Sequence, residues 1–225
     1  MARRFLLPAV LLTLALHAQV VDRMVAVANK RVVLQSELEQ AVRVEFLLKG
    51  KPLSEVTTAD LETSLDHLID QSLLDQQMAD SSIADPTPEE LAAELKSVRS
   101  QIPGASSDDS WKALLASYGL TVQDVEMSLA EQMRLLKLTD LRFRAMVRVG
   151  RNAIATYYQE TLIPELRKNN APEPPLEQVS PQIEKILTEQ RITELLNQWL
   201  EALRAQSHIE KMLPLENTLG GGKHS

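Results

Sequence analysis

Met24-Val25-Ala26-Val27-Ala28-Asn29-Lys30-Arg31-Val32-Val33 runs directly into Leu34-Gln35-Ser36-Glu37-Leu38-Glu39. Two β-rich runs flank Asn29-Lys30 and read as a hairpin, because Asn tolerates the left-handed backbone of a two-residue turn. Strands this short are not stable in water by themselves, so they must dock on something larger. The next residues supply it. Ser36 as cap and Glu39 as its capping-box partner predict a helix that carries Val42, Phe46 and Leu48 and stops near Gly50.

Downstream the pattern stays helical. Leu61, Leu65, Leu68, Ile69, Ser72 and Leu73 repeat at helical spacing from about Thr58 to near Ile83. Thr87 caps a third helix, with Pro88 at its first position and Glu90 closing the box. After the loop 103–107, a short helix from Asp108 to Ser117 carries Trp111, Leu114 and Leu115, and Gly119 stops it. Thr121 opens what reads as the longest helix, with Asp124 in its first turn. Val122, Val125, Leu129, Met133 and Leu136 form its stripe, widened by Leu135, Leu138, Leu141 and Ala145. A stripe that broad needs cover on more than one side.

Val147 to Gly150 reads as extended, and the helix with Ile154, Tyr157, Tyr158 and Leu162 is expected to end at Pro164. Three prolines mark 169–179 as a linker. Ser180-Pro181 then starts a closing helix. Ile183, Ile186 and Leu187 lie on one side of it; Ile192, Leu196, Trp199 and Leu203 lie roughly opposite. Its two halves should therefore meet different neighbours, with Trp199 the largest side chain they bury. One strand through Ile209 follows, and residues from 213 onward, ending in Gly220-Gly221-Gly222, read as a disordered tail.

Composition agrees with stacked helices. There are 37 Leu but only seven Gly, three Phe, three Tyr and two Trp, too few turn and strand formers for a sandwich or barrel. With 31 acids against 24 bases, a phosphate backbone is a poor partner. The absence of Cys removes disulfides and thiolate chemistry, and four scattered His make no metal-ligand pattern. Arg3-Arg4, the apolar run Phe5–Leu16 and Ala18 read as a signal peptide over residues 1–18, cut after Ala18, with an uncleaved anchor as the alternative. Export of a thiol-free chain points to the periplasm.

The order of these parts resembles the SurA-type periplasmic chaperones. Val25-Ala26-Val27-Ala28-Asn29, Val32-Val33-Leu34-Gln35-Ser36-Glu37-Leu38, Leu68-Ile69-Asp70, Trp111 and Tyr118-Gly119-Leu120-Thr121 carry it. So do Val147-Arg148-Val149, Tyr157-Tyr158 and Trp199-Leu200-Glu201-Ala202-Leu203-Arg204 with Ile209. The resemblance implies a mainly α fold: a SurA N-terminal-like helical domain with a small β-hairpin sheet, completed by a long C-terminal helix and strand. In that family a parvulin-type prolyl isomerase domain usually stands before the closing helix. Here only Glu160 to Val179 fill the gap, and His67 and His208 do not match its paired active-site histidines.

The expected function is a periplasmic holdase for unfolded exported or outer-membrane proteins, without isomerase activity. It implies polypeptide clients, no cofactor or metal, no nucleic acid and no stable membrane insertion. The oligomeric state is open, with a homodimer allowed. Candidate client contacts are Phe46, Met78, Met127, Met133, Tyr157, Tyr158 and Trp199, in a crevice between the N-terminal helices and the closing helix. The competing reading is a structural adaptor that binds one folded partner. Glu89-Glu90 and Asp108-Asp109 look like acid–base pairs but fall in first helical turns, where acids offset the helix dipole.

Overall fold

The computed structural model describes residues 22–78 and 83–219, so the signal segment 1–18 and residues 220–225 of the tail lie outside it. Strands β1 (Met24–Ala28) and β2 (Arg31–Leu34) form the expected antiparallel hairpin, with Asn29 at φ 58°. Helices α1 (Gln35–Leu48) and α2 (Thr58–Met78) follow, then α3 (Pro88–Gln101), α4 (Asp108–Ser117) and α5 (Val122–Phe143). Helices α6 (Arg151–Tyr157), α7 (Ile163–Lys168) and α8 (Leu176–Gln206) lead to β3 (Ile209–Lys211). Strand β3 pairs antiparallel with β1, giving the order β2-β1-β3. The last strand is thus part of the first hairpin's sheet.

Helix α1 begins differently from the sequence reading. Its cap is Leu34, whose backbone N–H donates to the Glu37 carboxylate at 2.9 Å. Ser36 is already helical, and its hydroxyl donates to Asp22. The predicted caps Thr87 and Thr121 are as expected, each bonded to the backbone N–H three residues on. At the end of α4, Gly119 sits at φ +66° with the Arg43 guanidinium 2.8 Å from where a Cβ would stand. The positive φ favours glycine there, whereas the Arg43 guanidinium, at the end of a flexible side chain, can move aside.

Helix α1 has two buried stripes. Leu38, Val42 and Phe46 face the sheet and α2, joining Leu61, Leu65, Ile69 and Leu73. Val44 and Leu47 face the other way, onto Trp111, Leu115, Val125 and Leu129. A third, smaller cluster sets Phe143, Val147 and Ile192 among Leu195, Leu196 and Trp199. Helix α5 thus bridges two clusters, and its wide stripe is not fully covered. Leu136 and Leu141 are 68% and 73% exposed, because α3 lies along one side of α5 and α8 meets it from another, leaving these positions between them uncovered.

Four expectations along the C-terminal half change. The helix after Gly150 does not end at Pro164: a wide π turn at Tyr158–Leu162 precedes the proline and lets α7 continue to Lys168. The closing helix starts at Leu176, inside the expected linker, and Pro181 lies in its second turn. At 31 residues it, not α5, is the longest helix. The tail expected from 213 is ordered to 219: Leu215 is buried with the sheet cluster, and the Asn217 amide donates to Val56 O at 2.8 Å. Burial of Leu215, the Asn217 and Thr218 hydrogen bonds and the Glu216–Arg23 ion pair together offset the freedom this segment loses.

Helix α8 is clasped to α2 by charge. Arg204 donates to Asp70 and, at 2.9 Å, to Asp66, while Lys211 donates to the other Asp66 oxygen at 2.8 Å. Burial raises the Asp66 carboxyl, but the Lys211 and Arg204 hydrogen bonds outweigh it and leave the pKa below its ordinary value. An acid with a lowered native pKa adds stability above its unfolded pKa of about 3.9 and loses it as pH falls through the native value. Asp66→Asn should therefore cost about 1 kcal/mol at pH 7, as expected for a partly exposed pair. In urea titrations the gap between variant and parent should close below about pH 4. A gap unchanged at pH 3 would show that the carboxylate charge is not what holds the clasp.

Candidate peptide-binding groove

Helix α1 packs against both α2 and α5. Between them opens a groove of about 540 Å³, ending at β2. Its apolar surface comes from Ala41, Leu48, Leu68 and Met127, over the buried side chains of Val33 and Val44. These positions follow from helix periodicity. Ala41, Val44 and Leu48 lie on one face of α1, at spacings of three and four, and Leu68 adjoins the buried row of α2. Leu48 and Met127 are 36% and 47% exposed.

The rim is polar. Gln40 of α1 donates to Asp124 of α5 at 2.9 Å, and Asp124 also accepts from Thr121 N–H at the start of α5. Glu45 accepts from Lys49 at 2.5 Å and from Ser64 at 2.7 Å. Burial raises the Glu45 carboxyl, but these two hydrogen bonds outweigh it and its pKa stays below the ordinary value. Arg134 of α5 donates to Asp75 of α2 at 3.0 Å and so joins the two outer helices. At Asp75 burial prevails over the Arg134 guanidinium, and the carboxyl is raised. An open trough with apolar walls and a hydrogen-bonding rim suits an extended chain, whose side chains alternate while its backbone needs polar partners.

Of the seven residues singled out from the sequence, only Met127 lines this groove. Phe46 is a correction: it is 2% exposed in the sheet cluster and cannot meet a client. Met78 is half-buried at the end of α2, and Met133 is half-buried on α5. Tyr157 and Tyr158 are half-buried where α6 passes into the π turn, and the Tyr158 hydroxyl donates to Pro174 O at 2.8 Å. Trp199 is half-buried, edge-on to Phe143 at 5.8 Å, with the Arg142 guanidinium 4.1 Å above its ring. It is not the largest side chain that α8 buries; the buried ones are Ile183 and Ile192.

The crevice also differs in place. It lies among α1, α2 and α5, and no residue of α8 lines it. Sequence spacing does not mark Leu48 as a groove residue, because an apolar position one turn from another looks the same whether a neighbouring helix covers it or not. Among the described residues, no group of three or more His, Asp or Glu is placed to hold a metal ion, and no helix is long and apolar enough to cross a membrane.

No curated protein matches the chain. The SurA-like N-terminal domain family matches residues 13–139, from before the hairpin to near the end of α5. That match spans more than half of the sequence and includes every wall of the groove, so the chain belongs to the SurA-like N-terminal domain family.

Proposed function

We propose that this chain is a periplasmic holdase that shields unfolded segments of exported or outer-membrane proteins in the α1–α2–α5 groove. The observation that carries the reading is the open groove itself, apolar along its walls and polar at its rim, in a family of chaperone kind. In the groove, Glu45 is engaged by Lys49 and Ser64, and Asp75 by Arg134. The stretch where relatives carry an isomerase domain is closed by the π turn, α7 and the Tyr158–Pro174 hydrogen bond. We extend the proposal to the absence of prolyl isomerase activity.

Light scattering of two unrelated denatured proteins tests it. The full chain should suppress aggregation of both near equimolar ratio. Met127→Glu, at an exposed groove position, should weaken suppression without lowering the melting temperature. A proline tetrapeptide should isomerise at its spontaneous rate in the same samples. Suppression of neither protein would favour an adaptor for one folded partner.

A further inference from the structure

We propose that the groove selects extended segments in which Lys or Arg recurs about every third residue between apolar residues. The inference rests on the client-binding reading above and names the chemical class of client.

The groove's charge is one-sided. Glu37, Glu45, Asp75, Asp124 and Glu131 line it, against the single guanidinium of Arg31. Three of these acids have cations of their own: Glu37 has Arg31, Glu45 has Lys49 and Asp75 has Arg134. Asp124 is bonded only to neutral donors, Thr121 and Gln40. Glu131 has no ion-pair partner among the described residues. The α5 wall therefore offers two carboxylates with no ion-pair partner among the described residues.

Their spacing sets the pattern. Asp124 and Glu131 are seven residues apart on α5, on one face of the helix, about 10.5 Å along its axis. A client extended in the polyproline II form has three residues per turn and rises about 3.1 Å per residue, so side chains three residues apart lie on one face, about 9 Å apart, and match that interval. Met127 stands between the two acids, one turn from each. A client residue between two cations would meet its thioether, which accepts varied apolar shapes. Acidic segments meet the same carboxylates as like charges, which costs affinity and rejects them. Burial of Asp75 adds to the bias, since an approaching cation offsets what desolvation costs that carboxylate.

Fluorescence anisotropy with the full chain and three labelled ten-residue peptides tests the proposal. All three are leucine-rich; every third position is Lys, Ser or Glu. At low salt the Lys peptide should bind about tenfold more tightly than the Ser peptide, and the Glu peptide most weakly. Added salt should narrow the gap. Glu131→Lys, at an exposed position, should remove most of the Lys preference, read as the ratio of the Lys and Ser peptide affinities.

Equal affinity for all three peptides would overturn the inference while leaving the groove as a client site. A Lys preference that survives Glu131→Lys would overturn it as well. Binding of none would overturn both this inference and the holdase reading. A chain that sediments as a dimer and loses dimerisation in Glu131→Lys would place a second copy in the groove, and the proposal would fail.

Discussion

A chain ending at Gln206 should melt roughly 10–20 °C below the full-length protein, in one transition. The truncation removes β3 and the ordered segment that follows it. With β3 go its pairing to β1 and the flanking hydrogen bonds Met212 N–H to Val25 O and Asn29 N–H to His208 O. Each backbone bond contributes about 1 kcal/mol net. Leu215 leaves the sheet cluster, and burying a leucine stabilises by about 2 kcal/mol. Lys211 leaves Asp66, so the acid clasp keeps only Arg204. Together these come to about 5 kcal/mol, and each kcal/mol moves the midpoint of a domain this size by about 2–4 °C. Leu215→Ala alone should lower it by roughly 5 °C, which separates the core contribution from the strand. Calorimetry decides the matter: an unchanged midpoint in the truncated chain would show that β3 and residues 212–219 are appendages.

The contrast between legible and illegible parts is physical. The hairpin, the caps at Thr87 and Thr121 and the strand through Ile209 depend on residues within a few positions of one another, so a linear sequence displays them. The start of α1 was misread because a Glu three residues after the cap can receive the cap's N–H whatever the cap's side chain is. Pro164 and Pro181 looked like boundaries because proline removes a donor. A π turn and a place near a helix start make that loss tolerable. The tail at Leu215 and the groove were invisible for a shared reason. Both depend on which distant surface an apolar residue meets, and hydrophobic spacing records only that it seeks one. The same limit explains why aromatic and methionine identity does not mark the residues that line the groove.

Phe46 and Met127 make the sharpest comparison, because sequence placed both at a client surface and the structure separates them. Phe46→Ala should destabilise the protein by about 3–5 kcal/mol, a loss near the low end of a domain's whole stability. Its side chain is enclosed by α1, α2 and the sheet, where residues packed on two sides cannot collapse fully into the space left. Met127→Ala removes a side chain that is already half in water, and should change stability by less than about 0.5 kcal/mol. Client affinity should move the other way. Met127→Ala weakens peptide binding in the groove it lines, whereas Phe46→Leu keeps an apolar filler in the core and leaves binding per folded molecule unchanged. Urea denaturation and peptide anisotropy on the same preparations measure both axes. If Phe46→Leu lost client affinity at full folded content, the interior behind α1 would open during binding. The groove between α1, α2 and α5 would then be only the mouth of the client site.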